Sequence, residues 1–179
     1  KPMRFFTTEG PVRPEKHYCL APLQRWNLEE VLGLIEQEKY FLLHAPRQTG
    51  KTTCLLALAE YLNREGRYRA LYVNIESAQA AREDVALGMA AVVHSIANSA
   101  RWRLRDAEAE DLARQVLRQG PLTGLESFLA HWCEQSPRPL VLLLDEVDAL
   151  VGDTLISLLR QLRAGYTQRP HHFPHTIIL

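Results

Sequence analysis

The residues best suited to do chemistry in this chain lie at 45–53, which read Ala-Pro-Arg-Gln-Thr-Gly-Lys-Thr-Thr. A Gly-x-x-x-x-Gly-Lys-[Ser/Thr] loop cradles a phosphate chain with backbone N–H groups. Its lysine meets the terminal phosphates, and its hydroxyl holds Mg²⁺. Here Ala45 replaces the first glycine, a departure of one methyl group, and Gly50, Lys51 and Thr52 keep the rest. A second group with chemical potential is Asp145-Glu146, two adjacent carboxylates at the end of the apolar run Leu140-Val141-Leu142-Leu143-Leu144. Asp145 is placed to hold Mg²⁺ directly or through its water shell, with Thr52 as the other protein oxygen. Glu146 is placed to orient and deprotonate an attacking water. On this reading Lys51 and Glu146 are the catalytic groups, and Thr52 and Asp145 hold the metal.

Such groups work only if the backbone brings them together. Tyr40-Phe41-Leu42-Leu43-His44 reads as a short buried strand before the loop. The run from Cys54 to Leu62 reads as a helix after it, stopping between Asn63 and Gly66. Strand, loop and helix put an anion at a helix N-terminus, where unpaired N–H groups and the helix dipole both favour negative charge. A run of apolar residues ending in Asp-Glu fits a buried parallel strand whose carboxyl end faces a ligand.

The loop 45–53, the strand ending at Asp145-Glu146 and the leader Tyr18-Cys19-Leu20-Ala21-Pro22-Leu23 together resemble the bacterial AAA-like P-loop ATPases. These are similar to archaeal-type and STAND-related ATP-binding domains, in the class with a separate catalytic acid. The resemblance implies an α/β P-loop NTPase fold, a three-layer αβα sandwich around a mainly parallel sheet. It also implies ATP and Mg²⁺, with Ala45, Pro46, Arg47, Gln48, Thr49, Gly50, Lys51, Thr52 and Thr53 around the phosphates. The extended segment before the first helix, His17 to Leu23 with Tyr18 foremost, is expected near the adenine. Residues 1–26 would then be the leader and 27–179 the NTPase core.

Composition bounds the alternatives. A chain of 179 residues is one domain and buries about two-thirds of its unfolded surface. A formal net charge of zero gives no global signature for nucleic acid. Cys19, Cys54 and Cys133 match no metal or redox spacing, and Cys54 reads as core. A reducing cytoplasm fits these thiols, and no stretch of membrane-spanning length is present.

The other elements alternate strand and helix, as a parallel sheet covered on both faces requires. Pro2, Pro11, Pro14 and Pro22 mark the leader as extended. Asn27 caps a helix with Leu28, Val31, Leu32 and Ile35 as its apolar stripe. Arg69 to Ile75 reads as a strand, 84–100 as an apolar helix and 106–119 as an amphipathic one closed by Gly120-Pro121. Thr123 with Glu126 reads as a capping box. Asp153 reads as the cap of a helix over 154–164, with Leu155, Ile156, Leu158, Leu159 and Leu162 inward.

Several features read first as surface. Arg101-Trp102-Arg103-Leu104-Arg105 fits a solvated junction between helices, and His171, His172 and His175 fit a Pro-rich surface loop. Arg160 and Arg163 read as a solvated helix face, with transition-state stabilisation in a neighbouring subunit as the sharper alternative. Glu76 either faces the water side of the site or caps the next segment.

Thr176-Ile177-Ile178-Leu179 reads as the start of a fourth strand. The resemblance implies that this strand lies between the phosphate-loop strand and the acidic strand, so the fold is expected to stop within or after it. The chain is therefore expected to be part of a larger multidomain protein or a homo-oligomer. Two functions remain: an ATPase that powers a larger protein, and an ATP-dependent regulatory switch or assembly module with little turnover. A P-loop kinase is weaker, because kinases usually lack a carboxylate that polarises water. A GTPase is weaker still, because no Asn-Lys-x-Asp motif occurs.

Overall fold

The computed structural model describes residues 27–44 and 50–179. Three parallel strands, β1 (Arg69–Asn74), β2 (Leu140–Asp145) and β3 (Thr176–Ile178), form a sheet in the order β1-β2-β3. The segment before the phosphate loop joins the far side of β3. Phe41 bridges Ile178 in parallel fashion, Phe41 N–H donates to Ile177 O at 3.1 Å, and Leu43 N–H donates to Leu179 O at 2.8 Å. The fourth strand of the chain therefore lies between the acidic strand and the phosphate-loop segment, as the resemblance implied. That segment makes a single bridge rather than a ladder, and Leu42 points to solvent instead of being buried. It continues the sheet beyond β3.

Alternation along β2 explains why its sequence is apolar throughout. Leu140, Leu142 and Leu144 face one side, where they pack with Leu71, Val73, Phe128, Trp132 and Leu158. Val141 and Leu143 face the other, with Leu55, Leu58, Leu62 and Tyr72. Helices cover both sides. On the second side lie α1 (Leu28–Glu36) and α2 (Lys51–Glu65). On the first lie α3 (Val85–Leu104), α4 (Ala109–Gln119), α5 (Gly124–Gln135) and α6 (Gly152–Ala164). This is a three-layer α/β architecture.

Asn27 accepts Glu30 N–H and caps α1 as its sequence suggests. Elsewhere tertiary partners displace local signals. Thr123 makes no side-chain cap, because the Glu126 N–H it would take donates to Gln161 Oε1 from α6 at 3.1 Å. Buried Gln161 also donates through Nε2 to Leu122 O at 2.7 Å and Ser157 Oγ at 2.9 Å. α6 starts at Gly152, so Asp153 lies inside its first turn, favoured there by the dipole rather than as a cap. Of its five expected inward residues, Leu158 and Leu162 are buried and Leu155 is partly so, whereas Ile156 and Leu159 remain 47% and 40% exposed.

The arginine-rich run is not a junction up to its end, because α3 continues through Leu104. His175 is buried rather than on a surface loop. Its Nε2 donates to Ile35 O at 2.7 Å, and burial pushes its pKa below the usual histidine value, so it stays neutral. Glu38 and the Ile35 carbonyl oppose that shift, while Arg169 and Arg67 add to it.

The turn into α4 is held by a charged cluster. Asp106 accepts from Arg69 Nη2 at 2.8 Å, Trp132 Nε1 at 3.0 Å and Ala109 N at 3.2 Å. Burial alone would raise the Asp106 carboxyl, but these bonds and the Arg69 charge hold it below the usual carboxylate range. Its stabilisation is therefore fully present above the unfolded value near pH 3.9, and is lost as pH falls through the lower folded value. Asp106→Asn should cost about 2 kcal/mol at pH 7, lowering Tm by roughly 5 °C. Thermal melts across pH should show that gap closing in acid; an equal gap at all pH values would exclude the charge as its cause.

Candidate functional site

The site begins with backbone conformation. Gly50 stands at the N-cap of α2 with φ 83°, a left-handed geometry that glycine adopts without a Cβ penalty. Lys51, Thr52 and Thr53 form the first turn, which contains no acidic residue. A lysine at the positive end of a helix dipole is electrostatically unfavourable alone, and the strain is relieved when an anion shares the position. Ala45, Pro46, Arg47, Gln48, Thr49 and Tyr18 lie outside the described residues.

Asp145 ends β2 on the same face as Val141 and Leu143, so its carboxylate turns toward α2. Only 3% of it is exposed. Thr52 Oγ1 donates to its Oδ2 at 2.6 Å, and Lys51 Nζ lies 4.0 Å from Oδ1. The two motifs read from distant parts of the sequence thus meet directly. A hydroxyl and a carboxylate in contact form a hard-oxygen donor set, which fits Mg²⁺.

Glu146 follows in a left-handed conformation, φ 64° and ψ 33°, unusual for a residue with a Cβ. Its N–H donates to Asp145 Oδ1 at 3.1 Å, and its carbonyl accepts from Ala149 N at 3.1 Å. This turn leaves the Glu146 side chain exposed beside the buried Asp145. Desolvation, then the neighbouring carboxylates Asp145, Asp148 and Glu76, push the Glu146 carboxyl above the usual glutamate range, with Lys51 opposing. Glu76 is thus in electrostatic reach of Glu146, and its own N–H is bound by Asn74 Oδ1 at 2.8 Å. Arg160 and Arg163 are exposed on α6.

One participant escaped the sequence reading. Tyr72 of β1 donates its phenol to Asp145 Oδ2 at 2.9 Å. Burial raises the phenol's pKa, as does the Asp145 carboxylate, so it remains a donor. The available signal was a tyrosine in mid-strand among Ala70, Leu71 and Val73, where a buried hydroxyl needs a partner.

Helix-start glycine and lysine, hydroxyl and strand-end carboxylate now stand in one place. A family model described as an AAA domain matches residues 35–179. The chain belongs to the AAA domain family. It is a nucleotide-binding module of the AAA-type ATPases, with the P-loop NTPase fold expected from its motifs. No curated protein and no solved structure matches the chain. Among the described residues of this AAA domain, no helix is long and apolar enough to cross a membrane, and no group of His, Cys, Asp and Glu has the geometry of a metal cluster. Cys54 is buried, as its core reading expects, and so is Cys133.

The left-handed Glu146 generates a stability test on the nucleotide-free AAA domain. Asparagine tolerates this conformation better than glutamate, and Glu146→Asn also removes a charge from among three carboxylates. The variant should gain about 1 kcal/mol from relieved strain. Because the folded-state value of Glu146 is raised, its ionisation destabilises as pH rises through that value, and protonation removes the penalty below about 4.3. The electrostatic part of the gain should therefore vanish in acid. Denaturant midpoints showing a loss of stability at pH 7 would overturn this account.

Proposed function

We propose that this AAA domain binds Mg·ATP and hydrolyses it to power or switch a larger protein. The observation that carries the reading is the direct contact between the phosphate-loop hydroxyl and the strand-end carboxylate, Thr52 to Asp145 at 2.6 Å, with Glu146 next in sequence. Residues 45–49 and the leader 1–26, with Tyr18 near the adenine, complete the nucleotide pocket in this reading, and 27–179 supply the core.

Mg²⁺, when bound, neutralises charge on the phosphates and orients them. Thr52 and Asp145 would hold it. Lys51 brings a compact positive charge to the terminal phosphates from the first turn of α2. Glu146 accepts the proton of a water whose oxygen bonds to the γ-phosphorus while the bond to the β–γ bridging oxygen breaks, giving ADP and phosphate. Its raised pKa moves it toward the working pH, which suits a general base.

Two variants test this in sequence. Lys51→Ala removes a charge-assisted hydrogen bond of about 1.5–3 kcal/mol, so calorimetry should show ATP affinity falling by about one to two decades. Unchanged affinity would remove the loop from the site. Glu146→Gln should keep near-normal Mg·ATP binding and lose about 10²-fold or more in hydrolysis. Turnover at the parental rate would place the base elsewhere, with Glu76 the next to test. The alternative reading, an ATP-dependent switch with little turnover, draws on the exposure of Glu146 among three carboxylates. It predicts a parental rate that is already slow, with ATP and ADP stabilising different assembly states.

A further inference from the structure

Asp145 offers about four acceptor positions, and their occupancy is informative. Oδ2 accepts from both Thr52 Oγ1 at 2.6 Å and Tyr72 Oη at 2.9 Å, which fills it. Oδ1 accepts from Glu146 N at 3.1 Å and lies 4.0 Å from Lys51 Nζ. Among the described residues, Oδ1 is the oxygen left with acceptor capacity. It is also the one nearer the phosphate-binding lysine.

The placement of Tyr72 follows from register. Tyr72 pairs with Leu143, so Asp145 is its diagonal neighbour on the same face of β2, within reach of an aromatic side chain. The ring is buried against Leu143 and the α2 face, and the Arg103 guanidinium lies 5.2 Å from its centroid. Packing on one side and a cation on the other fix the ring, and the hydroxyl has one carboxylate oxygen to meet.

We propose that Tyr72 is a positioning residue for the metal: by filling Oδ2 together with Thr52 it sets the Asp145 carboxylate so that Oδ1 is the oxygen that addresses Mg²⁺, directly or through its water shell. This rests on the Mg·ATP reading given above. Coordination through Oδ2 would cost a hydrogen bond from Thr52 or Tyr72, both of which a buried carboxylate holds strongly, so the metal is left to Oδ1. Partners that orient a metal-binding carboxylate typically change metal affinity by 10–100-fold when removed.

The test is Mg²⁺ titration of the full chain loaded with a fluorescent ATP analogue, for the parent and Tyr72→Phe. Phenylalanine keeps the ring, its packing and the Arg103 contact, and melting of the nucleotide-free chain checks that the fold persists. We expect the Mg²⁺ concentration for half-maximal tightening to rise about tenfold, with metal-free nucleotide affinity unchanged. Replacing Tyr72 by 4-aminophenylalanine, which restores an N–H donor on the same ring, should return the requirement toward the parental value. The role is overturned if Tyr72→Phe needs no more Mg²⁺ than the parent. It is also overturned if metal-free and metal-dependent binding weaken equally, which is the signature of a purely structural tyrosine. A parent that tightens with Mg²⁺ keeps the Mg·ATP reading intact in both cases. A parent whose nucleotide affinity ignores Mg²⁺ overturns that reading and the role of Tyr72 together.

Discussion

One buried carboxylate, Asp145, couples the separate parts of the site. A charge with 3% exposure is costly unless it is hydrogen-bonded on most sides. Its partners come from the first turn of α2 (Thr52), the neighbouring strand (Tyr72) and the backbone of Glu146. Each bond requires a different element to be in place, so the carboxylate is satisfied only when the sheet, the phosphate-loop helix and the turn after β2 have all formed. The same bonds that stabilise the charge also aim it.

Sheet order supplies the geometry. β2 lies between β1 and β3, and β3 separates it from the segment at Phe41 that leads into the loop. The segment at Phe41 thus lies one strand away from β2, while α2 packs against β1 and β2. Parallel strands direct all their carboxyl ends to the same edge, so Asn74, Asp145 and the end of β3 share that edge with Gly50. The apolar sequence of β2 is a consequence: a strand buried on both faces has no position for a polar residue until it ends.

The site also concentrates local cost. Glu146 holds a left-handed backbone and a carboxylate crowded by Asp145, Asp148 and Glu76, and Lys51 occupies the positive end of a helix dipole. The rest of the fold tolerates this because its packing is deep: both faces of the sheet carry continuous apolar clusters. Away from the site, Arg69, Asp106 and Trp132 form a charged tie at the opposite end of β1, where all three partners are satisfied. The contrast separates a charge cluster whose partners are matched from one that combines backbone strain with crowded like charges.

Local chemistry in the sequence determined the phosphate loop, the acidic pair, the alternation of strands with helices and the cap at Asn27. Each depends on residues adjacent in the chain: a glycine free to take φ 83°, an apolar run ended by carboxylates, an Asn two residues before a Glu-Glu pair. Tertiary structure decided what local signals leave degenerate. Thr123 lost its cap to Gln161 from another helix, Ile156 and Leu159 stayed exposed because α6 packs through a narrower stripe, and His175 became buried beneath Ile35. Tyr72 is the clearest case. Its apolar strand neighbours signal that the hydroxyl needs a partner but not which one, and only the pairing of Tyr72 with Leu143 brings it to Asp145, because a partner across a sheet is set by strand register and not by neighbours along the chain.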